Sequence, residues 1–299
     1  ACAAAEAQLR AWADLRQAAW AELLGRAPDL ASLGPVLFPY LVMEELYASA
    51  LAPRLDYALL LEESLDGLAA HALKAPPAGT PVLDWVAEGL TPPQPPGRRH
   101  AGEAMKLRLL DIAADLIMEG GIGAVTNRSV TQHARASTST ILYHFGDMRS
   151  FLAEAIWHSV FREIPAYLDA RRPLDHRRPA DLDAWAKLMS ATLSLGPPGA
   201  DTGFYVKYAR LIAQICLLAR RDLAFQDLAA LLRGPEGGGT YARREANWPP
   251  QFALTRQSAA HFAIWIKGRS LLNAAIAPLG AADPEAQLRV AALALAPSA

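Results

Sequence analysis

Cysteine is nearly absent: Cys2 and Cys216 are the only two in 299 residues. They stand far apart, with no His or Cys at ligand spacing, which argues against a disulfide framework and a zinc motif and fits a reducing, cytoplasmic setting. Net charge is nearly absent as well, at -1, so any contact with nucleic acid must come from a local patch. Long hydrophobic runs are missing. Stretches such as VLFPYLVMEELYASA are broken by charge well short of the roughly 18–20 apolar residues that a membrane span needs, so no membrane partner is expected. The first residues, ACAAAEAQLRAW, have neither the basic region nor the apolar core of a secretory signal. They also lack an initiating Met, which leads us to expect sequence upstream. Catalytic signatures are missing too: there is no GxSxG, no HExxH, no glycine-rich nucleotide fingerprint and no paired-Cys motif. His133, His144, His158 and His176 form no metal-binding pair at helical spacing. The expectation is no enzyme, no catalytic or metal-binding residue, and no cofactor.

What is present is ordinary globular material, 52% hydrophobic and 20% charged, enough for a sizeable core and long enough for two domains. Residues 3–24 contain no Gly or Pro, and Leu9, Trp12, Leu15, Ala19 and Leu23 recur at three-to-four spacing, the pattern of an amphipathic helix. Further helices are expected at 36–50 and 54–74, then at 181–195, 203–220, 222–233, 250–277 and after Pro284. No convincing strand alternation occurs, so the fold class is all-α. Between residues 76 and 96 stand seven prolines around one short helical insert. Such density forbids a continuous helix and suggests an interdomain linker, the alternative being a long surface loop.

After this stretch, Leu107, Leu110, Ala114 and Ile117 restore helical periodicity until Gly120 and Gly121 end it. Thr126 is placed to cap a helix at 127–134, and Ser137 to cap another at 138–144. Asp147 opens a further helix. Two short helices joined by about three residues have the dimensions of a helix-turn-helix. The second carries short hydrogen-bonding side chains, Thr138, Ser139 and Thr140, with Tyr143, suited to base edges and phosphates. Val130 and Ile141 would hold the pair together.

Residues 105–157 resemble the DNA-binding domain of the tetracycline-repressor (TetR) family of bacterial regulators. The resemblance rests on the Gly pair, on TNRSV opening the second helix, on STSTILYHF as recognition helix and on GDMRSFLAEAI opening the fourth. It is nearest to a branch that matches Arg128, Tyr143, His144 and Phe145 directly. It implies phosphate contacts from Thr126, Tyr143 and His144, and contacts in or beside the major groove from Arg128, Thr138 and Ser139. For Tyr143 and Thr126 the plainer roles are a packing aromatic and a simple cap. Arg98, Arg99, His100, Lys106 and Arg108 would add positive charge upstream, either reaching the flanking phosphates or merely solvating a linker end. Three departures stand out: Arg135 where the family has a turn glycine, Thr131 for a small alanine, and Met148 where many members have lysine.

The same resemblance implies a helical-bundle effector domain at about 151–299, with DNA binding at 101–150, a linker at 76–100, and residues 1–75 as the end of a first, effector-like repeat. The last point rests on laying residues 55–73 over 256–276, with Gly67 opposite Gly268 and DGL at 66–68 as a family-like signature. Trp185, Met189, Phe204, Tyr205, Tyr208, Phe252, His261, Phe262 and Trp265 are spaced to line a ligand pocket or to form ordinary core. The Gly-rich stretch at 233–250 reads as a pocket lid or a surface loop. The function implied is a ligand-responsive transcriptional repressor. Its partners would be a double-stranded DNA operator and an unidentified small-molecule effector, and it would act as a homodimer or an internal pseudo-dimer. The alternative is a ligand- or protein-binding module that has lost sequence-specific DNA reading.

Overall fold

The computed structural model describes residues 2–76, 79–89, 101–168, 177–195, 202–276 and 283–299. Along the chain run α1 (Cys2–Gly25), α2 (Gly34–Leu51), α3 (Leu55–Ala72), α4 (Pro81–Gly89), α5 (Ala101–Gly120), α6 (Asn127–Ala134), α7 (Ser139–Phe145) and α8 (Met148–Leu168). There follow α9 (Leu182–Leu193), α10 (Phe204–Ala219), α11 (Gln226–Arg233), α12 (Gly238–Ala242), α13 (Arg244–Asn247), α14 (Arg256–Ile276) and α15 (Pro284–Leu295). The fold is all-α. Among the described residues the only extended pairing is an isolated bridge between Phe252 and Ser298, and no helix is long and apolar enough to cross a membrane. Most of the expected linker, with Arg98, Arg99 and His100, lies outside the described residues.

The chain divides into two compact units, Ala1–Leu90 with Ala170–Ala299, and Thr91–Asp169. In the larger unit the N-terminal helices share one core with the C-terminal ones. α2 leaves only Pro35 and Glu45 exposed and buries Val36, Phe38, Tyr40, Met43, Tyr47, Ala50 and Leu51, and most of α14 is buried too. A helix apolar on every side belongs at the centre of a bundle. The two cross backbone to backbone, since a Cβ added to Gly268 would lie 1.8 Å from the Pro39 carbonyl oxygen.

Two expectations are corrected here. The face of α1 turned inward is not the Leu-rich one: Leu9, Leu15 and Leu23 are exposed, while Ala13 and Leu24 are buried and Trp20 packs beside them. Ala13 joins Phe38 and Leu272 in one cluster. A small side chain admits the close approach that a leucine there would block. Helix α14 begins at Arg256 rather than near 250, because the Thr255 hydroxyl accepts the Ser258 amide at 3.0 Å and Ser258 Oγ accepts the Thr255 amide at 2.9 Å. This reciprocal cap fixes the start. The residues before it pair with the C-terminus instead, Ala253 N–H donating to Pro297 O at 2.8 Å.

Candidate nucleic-acid interface

The smaller unit is built around four helices, α5 to α8. Gly121, at φ 80°, turns the chain out of α5, a conformation glycine adopts without Cβ strain. Thr126 then caps α6 as expected: its hydroxyl accepts the Ser129 amide at 3.0 Å, and Ser129 Oγ accepts the Thr126 amide at 2.9 Å while donating to Ala124 O at 2.8 Å. Helices α6 and α7 are pinned by fully buried Val130 and Ile141 and by Asn127 Nδ2, which donates to Thr138 O at 3.3 Å. Thr131 is accommodated by turning its hydroxyl back to Asn127 O at 2.7 Å. The turn between the helices has Arg135 at φ 52°, ψ 44°.

Helix α7 begins one residue later than expected, at Ser139. The Ser137 hydroxyl caps no amide; it bonds to the hydroxyls of Ser139, at 2.8 Å, and Thr140, at 3.1 Å. At the far end of α7 the rings of Phe145 and Phe151 meet at 4.7 Å and anchor it to α8. Asp147 caps that helix by accepting the Ser150 amide at 2.7 Å, and this bond holds its carboxyl below the usual aspartate range.

Of the residues expected at the DNA surface, Thr126, Arg128, Thr138, Ser139 and Tyr143 are exposed, while Thr140 and His144 are half-buried. Tyr143 is 85% exposed, so a packing role is set aside for its outer edge, although its ring meets His144 edge-on at 5.0 Å. The Thr126 hydroxyl is engaged as a cap. Lys106 is not free for phosphate: it pairs with Glu154 at 2.7 Å and lies over the Phe145 ring. Sequence reasoning passed over Leu142, which is 52% exposed beside Tyr143. Its signal was its place three residues after Ser139, on the same helix face.

In the larger unit the structure places the residues expected to line a pocket in three settings. Trp185, Phe252 and Trp265 are buried in an aromatic cluster completed by Trp248 and Phe262, with Trp185 and Trp248 at 4.7 Å and Trp248 and Phe262 at 5.0 Å. Such edge and offset contacts fill space. Tyr205 and Tyr208 flank Phe204 in a second group, and Met189 is half-buried on α9. His261 borders a cavity of about 240 Å³ with Gly67, His71, Lys74, Gln257 and Pro297. Its Nε2 lies 2.9 Å from Ser64 O, and burial pushes its pKa down to about 3, so the ring is neutral. The Gly-rich stretch folds as α12 and α13.

A buried polar network that the sequence did not announce crosses this unit. Arg233, fully buried, reaches Glu44 with Nη2–Oε1 at 2.6 Å and donates to Ser64 Oγ at 3.1 Å. Tyr40 donates to the same carboxylate at 3.0 Å, and Tyr47 donates to Glu236 at 2.6 Å. Lys267 pairs with Glu236. Burial opposes the charge on Arg233, but the Glu44 carboxylate more than restores it, and its pKa rises. For Lys267 burial prevails over Glu236, and the pKa falls. Charged residues inside apolar helices, Glu44 in α2 and Lys267 in α14, were the available signal.

A short capped helix, a turn over residues 135–138 and a second helix with an exposed hydroxyl and tyrosine surface define a helix-turn-helix DNA-binding domain. Residues 109–155 match the model of the family described as bacterial regulatory proteins, tetR family. That match lies wholly within the smaller unit and marks α5–α8 as a TetR-type DNA-binding domain. No curated protein and no solved structure matches the chain.

Proposed function

We propose that the chain is a ligand-responsive transcriptional repressor acting in the cytoplasm, regulatory rather than catalytic. The observation that carries this reading is the surface of α7, where Thr138, Ser139 and Tyr143 stand exposed on a helix whose opposite side is fixed by Ile141 and Phe145. In this reading Thr126, Tyr143 and His144 contact phosphates. Arg128, Thr138, Ser139 and Thr140 work in or beside the major groove. The sign of regulation is taken from the family. Two recognition helices about one DNA turn apart are needed to read a palindrome, supplied by two copies or by an internal pseudo-dimer. In the latter case residues 1–75 descend from a first repeat. The cavity beside His261 supports an effector site better than the aromatic cluster does, with His71, Lys74 and Gln257 as polar groups on its lining.

Selection of duplexes from a random library, followed by salt titration of the best one, tests this reading. A palindromic winner whose affinity falls steeply with salt, and which Arg128→Ala and Tyr143→Phe bind more weakly, is the expected result. Absence of enrichment even at low salt would instead identify a module that has lost DNA reading.

A further inference from the structure

The turn of the helix-turn-helix holds a residue that its backbone disfavours. Arg135 lies in the left-handed region, φ 52° and ψ 44°, where a Cβ crowds the following carbonyl. Among the described residues of this unit the other two positive-φ positions, Gly121 and Gly146, are glycines. The conformation is fixed by the fold, because Ala136 N–H donates to Thr131 O at 3.0 Å and Arg135 N–H to Gln132 O at 3.3 Å, closing α6.

Among the described residues no contact of the Arg135 side chain compensates the strain. The Arg135 side chain is exposed and makes no hydrogen bond or ion pair among the described residues, whereas Lys106 pairs with Glu154 and Arg162 with Asp115 in the same unit. A glycine would satisfy this turn better. The guanidinium is nonetheless carried on a rigid turn two residues before Ser137 and three before Thr138, where the recognition helix begins. An arginine presents a planar fork matched to a phosphate and reaches farther than the neighbouring serines and threonines.

We infer that Arg135 is a DNA-phosphate ligand, clamping the backbone at the edge of the groove that α7 enters. The inference rests on the reading of α7 as a recognition helix. It assigns a binding role to the departure from the glycine that the turn geometry favours, with folded-state strain accepted in exchange for one charge-assisted contact.

The test compares the full chain with Arg135→Gly, Arg135→Gln and Arg135→Lys, using the duplex that the wild-type chain retains from a random library. Melting temperature and affinity at several salt concentrations are measured for each. Arg135→Gly is expected to melt a few degrees higher yet bind about tenfold more weakly, with the slope of log affinity against log salt shallower by about 0.9, the loss of one phosphate contact. Arg135→Gln retains the strain and loses the same slope. Arg135→Lys keeps most of it. If Arg135→Gly and Arg135→Gln bind as tightly as wild type with an unchanged slope, the inference is overturned and the DNA reading stands. If the wild-type chain retains no duplex, both are overturned.

Discussion

Two glycines that look equivalent in the sequence do different work. Gly268 admits a backbone-to-backbone crossing with Pro39, and a methyl there would lie 1.8 Å from a carbonyl oxygen that cannot move aside. The nearest atoms to a Cβ added at Gly67 belong to the side chain of Gln257, whose amide nitrogen would lie at 1.9 Å. A side-chain end can swing away, at the cost of its 3.1 Å bond to Glu63 O. We therefore expect Gly268→Ala to lower unfolding free energy by about 3 kcal/mol, and Gly67→Ala by only about 1 kcal/mol, in urea titrations. Equal losses would dismiss the crossing as the distinguishing feature. At the same scale, His261 has its pKa lowered from 6.5 to about 3 by burial, with Arg233 and His71 adding in the same direction. The unfolded imidazole therefore takes up a proton first. Its contribution is fully present above pH 6.5 and is lost as pH falls toward 3, at up to about 1.4 kcal/mol per pH unit. His71, lowered by burial as well, adds in the same sense. Urea titrations at pH 7, 6 and 5 should show an acid loss of stability in wild type that is visibly smaller in His261→Gln; parallel curves would mean the buried ring is charged or hydrated.

Elements were legible where periodicity and caps agree, and illegible where a choice of face depended on a distant partner. The α6 boundaries at 127 and 134 follow from Thr126 and the turn, both local. The inward face of α1 does not, because Leu9 and Leu15 are locally as apolar as any core residue, and only the narrow approach to Phe38 and Leu272 selects Ala13. The same limit hid the pairing of α2 with α11, since Glu44 and Arg233 stand 189 positions apart and each resembles a solvated charge in isolation. In the fold they form one buried unit with Tyr40, Tyr57 and Ser64. Removing one partner strands the other in a low-dielectric core, so Arg233→Met or Glu44→Gln should cost about 3–5 kcal/mol. The double variant Glu44→Leu with Arg233→Met should recover most of that loss in chemical denaturation, because no charge is then left unpaired. A double variant as unstable as the sum of the singles would show that packing volume, not charge pairing, dominates the site.

For the whole molecule, the helical class and the DNA-binding unit could be read from the chain, whereas the membership of residues 1–90 could not. Local signals made them look separable, since prolines crowd 76–96 and helical periodicity restarts beyond. The contacts that join them to the C-terminal helices are long-range and leave no periodic trace. Helix α14 depends on α2 for the crossing at Gly268 and on α3 for the Ser64 carbonyl that His261 meets. Arg233 depends on α2 for the carboxylate it pairs with, and Glu236 for the Tyr47 hydroxyl. A chain begun at residue 91 would therefore expose the apolar flank of α14 and leave Arg233 buried without its counter-charge. We expect such a truncation to lose the cooperative unfolding of the larger unit and to bind a hydrophobic dye strongly, while the α5–α8 unit keeps its helical signal, because Val130, Ile141, Phe145 and Phe151 draw their contacts from within it. The decisive comparison is the denaturation profile of the full chain against that of the truncated one. If the truncated chain retains the transition of the larger unit with an unchanged midpoint, residues 1–90 are a separate domain, and the shared core is not what stabilises α14.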